Sequence, residues 1–397
     1  MVISLSSFFI SLPYYFSNYQ ITFINSLFEG FSGITLTGFT IFDNIKYLDP
    51  TLIIWRSTSQ WIGGLYFLFF LILIFSNKQF RYKLNDISLT SVETINTEQN
   101  IKNIILKVFL IYLSLSILIF TLLAGSEIRL FNSLNLSMTI ISTGGFLPTN
   151  NLSQIITNKT QEISLIIAFF ISCLNIFLLI NIFDKKKIIK NHYEDFLLIF
   201  TIIIISLIIF ALSKNISFTN LLLNILSCFN NSGITTNNTS TNLSLFYLSL
   251  TILGGSLISN TSGIKIMRFY ILIKATFSEM LKLVKPNTII NQNIFYTDKK
   301  NDYENVKLSF LIFISFFISI FILTVMLIPD LLNFENTLKL AILTITNTTN
   351  SNLYGVENIS FTNLITSSKI SLIIFMVIAK IELISVFLLI KNFFSKN

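Results

Sequence analysis

The chain has 397 residues, 53% of them hydrophobic and only 12% charged, which is about half the charged share of an ordinary soluble domain. With 5 prolines and 13 glycines it is neither a collagen-like nor a low-complexity polymer. The formal net charge of +8 is spread over separated zones rather than gathered on one face, which excludes a nucleic-acid footprint.

Taken in chain order, the elements alternate between long and short apolar segments. Met1 to Phe16 predicts a short first helix, and it has neither the basic start nor the small-residue cleavage site of a secretory signal. Phe23 to Ser32 is a short half-apolar segment, followed by the cluster Gly33-Ile34-Thr35-Leu36-Thr37-Gly38-Phe39 and a long helix from about Leu52 to Phe75. A basic zone, Ser76 to Lys107, comes next. The run Leu110 to Leu123 opens the same pattern again: short segment Phe131 to Ile141, cluster Ser142-Thr143-Gly144-Gly145-Phe146, long helix Ile163 to Phe183. After the basic zone Asp184 to Asp195 the helix Phe196 to Leu212 leads to Thr219 to Phe229 and to Asn230-Asn231-Ser232-Gly233-Ile234-Thr235, with an exit helix from near Leu243. A last basic linker, Lys274 to Lys307, precedes Leu308 to Ile328, Glu335 to Ile345, and the cluster Asn347-Thr348-Thr349-Asn350-Ser351-Asn352. The final helix starts near Lys369 and ends in the basic residues 391–397.

Several of the long runs approach the ~20 residues that cross a bilayer. The short ones cannot cross, and read as re-entrant helices. The basic zones fall between complete units, as cytoplasmic loops do under the positive-inside rule, which puts both termini on the cytoplasmic side. The sequence therefore predicts an all-α polytopic membrane protein of about eight transmembrane helices. Four pseudo-symmetric helix–pore loop–helix repeats surround one pore. Repeat 1 is 1–76, repeat 2 is 108–184, repeat 3 is 196–275 and repeat 4 is 307–397, with cytoplasmic linkers 77–107, 185–195 and 276–306. Glycine and hydroxyl residues at the ends of four re-entrant segments suit a filter, where backbone must reach positive φ and oxygens must replace an ion's hydration shell. Gly254-Gly255-Ser256 and Ser259-Asn260-Thr261-Ser262-Gly263 should interrupt the third exit helix.

No His/Cys/Asp cluster with ligand spacing and no nucleophile–base pair occurs in the sequence, so the reading contains neither an enzyme activity nor a resident cofactor. Cys173 and Cys228 read as packing residues, and His192, in a lysine-rich loop, as solvated.

Four stretches carry a family resemblance. Phe28-Glu29-Gly30-Phe31-Ser32-Gly33-Ile34-Thr35-Leu36-Thr37-Gly38 and Ile141 to Phe146 are similar to the first and second filters of the Trk/Ktr bacterial potassium uptake systems. Trp55-Arg56-Ser57 with Gln60-Trp61-Ile62-Gly63-Gly64 resembles the helix after the first filter. Gly254-Gly255-Ser256 with Ser262-Gly263-Ile264-Lys265-Ile266-Met267-Arg268 resembles the broken exit helix of the third repeat. The resemblance implies K+ uptake across the bacterial cytoplasmic (inner) membrane. It implies one filter strand per repeat, with Gly38, Gly145 and Gly233 on the filter glycines and Asn350 in the place of the fourth. It implies an intramembrane gating loop over Gly254 to Gly263. It gives Lys380, in Ala379-Lys380-Ile381-Glu382, the role of a positive charge beside the ion path. It further implies a homodimer and a cytoplasmic nucleotide-binding regulatory subunit. Here the fourth filter departs from the family pattern, which opens the question of K+ against Na+. Coupling to Na+ or H+ stays open as well, as do a weakly selective Na+/K+ pathway and a non-conducting assembly subunit.

Overall fold

The structure is a computed structural model that describes residues 2–76, 98–183, 192–213, 217–236, 243–284, 303–330, 333–356 and 359–380. The basic stretches within 77–97, 184–191, 285–302 and 381–397, with Glu382 among them, lie outside the described residues.

The protein is a polytopic membrane protein built almost wholly of helices. In the first part of the chain α1 (Val2–Tyr15), α2 (Phe23–Ile34) and α3 (Pro50–Ser76) follow one another. The helices α4 (Glu98–Gly125), α5 (Leu130–Ile141), α6 (Lys159–Cys173) and α7 (Ile176–Phe183) come next. They are followed by α8 (Tyr193–Leu212), α9 (Phe218–Phe229), α10 (Ser244–Ile252) and α11 (Ile266–Val284). The last group is α12 (Tyr303–Leu327), α13 (Phe334–Ile345) and α14 (Thr366–Lys380). Among the described residues Ile101–Gly125, Tyr193–Leu212 and Asn305–Asp330 are each long and apolar enough to cross a membrane. Such helices are apolar all round, and their outer faces leave Leu207, Phe321 and Phe200 more than half exposed, as suits a lipid-facing surface.

Four short helices, α2, α5, α9 and α13, have 12 residues each. At ~1.5 Å per residue they span about half of a bilayer's hydrocarbon. Their last turns point to the interior of the protein, where Phe28, Leu136, Leu226 and Leu343 are buried in one continuous core. Gly30 lets α2 lie against α1, because a Cβ there would fall 2.8 Å from the carbonyl oxygen of Ser7.

Two long apolar runs are broken. The segment Ile163 to Phe183 reads in sequence as one helix. In the structure it splits at Leu174 and Asn175, and its two parts meet at 98°. The third exit helix stops at Ile252 and restarts at Ile266. Between them Leu253–Gly254 and Ile264–Lys265 pair as two short parallel strands that pinch off a loop. The two breaks face each other. Ile176 N donates to Ile258 O (3.1 Å) and Ser256 N to Cys173 O (3.5 Å). Peptide groups freed from one helix are thus satisfied by those freed from the other, which is what irregular backbone at membrane depth requires.

Candidate functional site

Each short helix ends in the same turn. The residue two beyond the helix takes a left-handed conformation: Leu36 (φ 66), Thr143 (φ 61), Asn231 (φ 56) and Asn347 (φ 47). Its N–H bonds three residues back, as in Leu36 N→Gly33 O (3.1 Å), Thr143 N→Ile140 O (3.0 Å), Asn231 N→Cys228 O (3.0 Å) and Asn347 N→Thr344 O (3.1 Å). The next N–H bonds five back, as in Thr37 N→Ser32 O (3.0 Å), Gly144 N→Thr139 O (2.8 Å), Ser232 N→Ser227 O (3.1 Å) and Thr348 N→Leu343 O (2.8 Å). This pair of bonds is the Schellman motif, which normally recruits glycine. Here it is closed by Leu, Thr and two Asn, so a non-glycine residue carries the positive φ in all four turns.

The four turns define a common register. Ser142, Asn230 and Thr346 occupy the helix-capping position that Thr35 occupies in the first turn. Three residues beyond that cap come Gly38, Gly145, Gly233 and Thr349. These residues close a ring. A Cβ built on Gly38 falls 3.2 Å from the Cα of Gly145. One on Gly145 falls 2.4 Å from Ser232 O, and one on Gly233 2.5 Å from Thr349 O. Thr349 Oγ1 donates to Thr37 O (3.2 Å), which returns to the first strand. The sequence placed Asn350 at the fourth glycine position. The turn register assigns that position to Thr349 instead, and Asn350 lies one residue further out. The asparagine that adopts positive φ in this strand is Asn347.

Side chains stitch neighbouring strands together. Asn347 Nδ2 donates to Thr37 Oγ1 (2.9 Å), and Asn231 Nδ2 to Thr348 Oγ1 (3.3 Å). Outside the ring lies an open cavity of about 320 Å³, floored by Gly38, Gly145, Gly233 and Thr349. Its wall is braced by a charge pair to which the sequence reading gave no role. Arg56 Nε donates to Glu29 Oε1 (2.9 Å), and Glu29 also accepts from Ile41 N (2.9 Å) and Thr40 Oγ1 (3.1 Å) just beyond the first turn. Both side chains are buried, and the guanidinium lies 4.2 Å from the Phe146 ring centre. Two charges within apolar segments are the sequence signal that could have found the pair. Gln60 braces the second turn by accepting from Phe146 N (3.1 Å).

On the other side of the ring lies the pinched-off loop. Asn260 Nδ2 donates to Ile141 O at the end of α5 (3.1 Å). Gly255 N donates to Thr261 Oγ1 (2.9 Å), and Lys265 Nζ donates to Thr261 Oγ1 (3.0 Å) and to Ser259 O (3.3 Å). Lys380 is buried rather than turned out to the membrane surface. Its Nζ donates to Asn260 O (2.6 Å) and Ser262 Oγ (3.2 Å) and lies 4.6 Å from the Phe67 ring centre. Leu257 N donates to the Glu194 carboxylate and Asn175 N to Asp195 Oδ1 (2.9 Å), so the start of α8 holds both helix breaks. His192, read from sequence as solvated, is buried; its Nε2 lies 2.7 Å from Asn181 Nδ2 and its Nδ1 3.6 Å from Asp195. Burial follows from its place at the start of α8, behind the broken helix. Cys173 and Cys228 are buried free thiols.

No protein-family model matches the chain. An uncharacterized cation transporter of Methanocaldococcus jannaschii is 26% identical over 332 residues, which is 80% of this chain and 66% of that protein. The Trk system potassium uptake protein TrkG of Escherichia coli is 25% identical over 303 residues, 70% of this chain and 60% of that protein. The Trk system potassium uptake protein TrkI of Halomonas elongata is 42% identical over 57 residues, 14% of this chain. The chain thus spans no more than about two thirds of the length of these relatives. The crystal structure of the potassium transporter TrkH from Vibrio parahaemolyticus has the same fold, with a TM-score of 0.85 at 20% identity over 98% of this chain and 82% of that one. In sequence and in fold, the chain is a relative of the Trk-type potassium uptake membrane subunits.

Proposed function

We propose that the chain conducts K+ across the cytoplasmic membrane through the ring of four turns, with the loop of residues 253–265 as a gate beneath it. The observation that carries this reading is the ring itself. Four equivalent turns from four short helices meet at one level, with an open cavity on one side and a braced loop on the other. Backbone carbonyls and hydroxyls gathered in this way can replace the hydration shell of a cation. The named potassium uptake relatives and the shared fold support the same reading.

The gate acts by occupying the path below the ring. Lys265 and Lys380 hold the loop through its carbonyl oxygens, and Lys380 places a positive charge where a permeating cation would leave. Movement of the loop requires these bonds to open. The reading includes a second copy of the chain and a cytoplasmic nucleotide-binding subunit that moves the loop, as the resemblance implies. It also puts both termini on the cytoplasmic side.

The test is uptake of rubidium-86, with sodium-22 in parallel, by bacteria that lack their own potassium importers. Rubidium uptake suppressed by excess potassium is the expected result. Equal entry of both ions replaces K+ uptake with a weakly selective pathway. No entry of either ion, with the protein present in the membrane and the regulatory subunit co-expressed, overturns conduction in favour of an assembly role.

A further inference from the structure

The chain has one histidine, His192, and it lies buried at the start of α8. Its Nε2 is 2.7 Å from Asn181 Nδ2 on α7. An amide nitrogen only donates, so Nε2 accepts and the ring's single proton sits on Nδ1, which is the neutral form. Nδ1 lies 3.6 Å from Asp195 Oδ2, and that buried oxygen has no hydrogen-bond partner among the described residues. The other oxygen of the same carboxylate is in use: Asp195 Oδ1 accepts from Asn175 N (2.9 Å), at the break between α6 and α7. One residue on, Ile176 N donates to Ile258 O of the loop (3.1 Å). A path of contacts thus runs from the imidazole through Asp195 and the helix break to the loop. A carboxylate with one oxygen engaged and the other unbonded beside a neutral imidazole is a place prepared for a second proton. The imidazolium has an N–H donor at both nitrogens and a charge to set against Asp195.

We propose that His192 is a proton sensor for the loop: its protonation from the cytoplasmic side fixes Asp195, and with it the helix break that holds residues 253–265 in place. This rests on the gate, and on the cytoplasmic placement of this end of α8, in the reading above. In the protonated state Nδ1–H closes on Asp195 Oδ2 as a charge-assisted bond, and the Asn181 amide turns over so that its oxygen accepts from Nε2–H. The carboxylate is then held at both oxygens. Loss of the proton leaves it held at one. The held loop therefore takes up the proton more readily than the released loop, and a fall in pH shifts the population to the held state. Histidine is the side chain that ordinarily changes charge between about pH 5 and 8. The other ionisable groups at this place are Tyr193 and Glu194 beside it on α8, Lys265 at the loop's neck and Arg268 on α11, which face Glu194, and Tyr270 on α11, which faces Tyr193. Glu194 also bonds the loop, through Leu257 N, so the test separates it from His192.

The test is rubidium-86 uptake into lipid vesicles that hold the purified full chain, with both sides set to the same pH, from about pH 6 to about pH 8. It compares the protein with His192→Gln, which stays neutral, with Asp195→Asn, which keeps an oxygen for Asn175 N and loses the charge, and with Glu194→Gln. Uptake is expected to fall at least about fivefold from the alkaline to the acid end, the lower end of ordinary coupling between two sites. It should stay nearly flat in His192→Gln and Asp195→Asn, and Glu194→Gln should keep the fall. No fall in the unaltered protein, an equal fall in His192→Gln, or a fall lost only in Glu194→Gln overturns the proposal and leaves conduction standing. Hydrogen exchange of the loop amides 254–263 supplies a second reading that needs no flux. It is taken on the protein and on His192→Gln at the same pH, so that the chemical exchange rate cancels; Asp195→Asn takes the comparison if His192→Gln does not fold. Slower exchange in the unaltered protein at the acid end, with no difference at the alkaline end, is the expected result. Equal exchange at both ends overturns the proposal. If the loop responds in this way but no ion enters at any pH, the sensor stands and conduction fails.

Discussion

The ring and the loop beneath it both hold irregular backbone within the membrane, and they do so by opposite means. Each strand of the ring is fixed by its own helix through the two backbone bonds of its turn, and neighbours meet through amide and hydroxyl side chains. The loop has two pairs of strand residues at its neck and no helix of its own to fix it. Its remaining order comes from Lys265 within it and from contacts with other elements, chiefly the buried charged groups of Lys380 and Glu194 and the broken helix at Cys173 and Ile176. A part fixed by its own backbone holds its geometry and is sensitive to volume. A part fixed from outside can be released, and is sensitive to charge. This difference suits the proposed reading of a rigid filter above a movable gate.

The comparison can be broken most severely at Gly145. A Cβ there falls 2.4 Å from Ser232 O and against the Thr349 side chain, and a carboxylate would stand within the ring. Gly145→Asp is expected to reduce rubidium uptake to background while the protein stays in the membrane; normal uptake would remove residues 142–146 from the ion path. Next is the exception to the pattern, the charge pair behind the first strand. Glu29→Ala leaves the buried Arg56 uncompensated, at a cost of about 3–5 kcal/mol. The expected result is a clear fall in Tm and in the amount of folded protein on gel filtration. An unchanged Tm would mean that the pair does not brace the cavity wall.

Lys380→Met sharpens the comparison. Hydrogen bonds from a charged group contribute about 1.5–3 kcal/mol each, and losing those to Asn260 and Ser262 frees the loop. Uptake should rise several-fold with the rubidium-to-sodium ratio unchanged; a changed ratio would mean that Lys380 acts on selectivity rather than on the gate. The smallest effect is expected from Asn260→Ala, which removes the single side-chain bond from the loop to Ile141 O. A neutral hydrogen bond contributes about 1 kcal/mol, so uptake should rise less than in Lys380→Met. A larger rise would make Asn260, not Lys380, the main tether.

Much of this organisation is legible in the residues. The short half-apolar segments of 10 or 11 residues, too short to cross, locate α2, α5, α9 and α13 to within one residue at their N-terminal ends. The Gly and Ser cluster within an apolar run locates the break between Ile252 and Ile266. The break at Leu174 and Asn175 has no such signal: Ile163 to Phe183 is apolar throughout save for a few small polar residues, and what bends it is the loop pressed into the gap. His192 carries no sign of burial either, because its cover comes from α7 and its own helix start.

The sequence by itself determined the membrane location, the order of long and short helices and the four clusters, because hydrophobic length and turn chemistry are local properties. Only the tertiary structure decided which residue of each cluster faces the ring. That register depends on where each short helix ends, and its end is set by a left-handed residue that is Leu or Thr as readily as Asn. The shift from Asn350 to Thr349 is a single residue, too small for composition to resolve. It decides whether the fourth ring position presents an amide outside the ring or a hydroxyl within it.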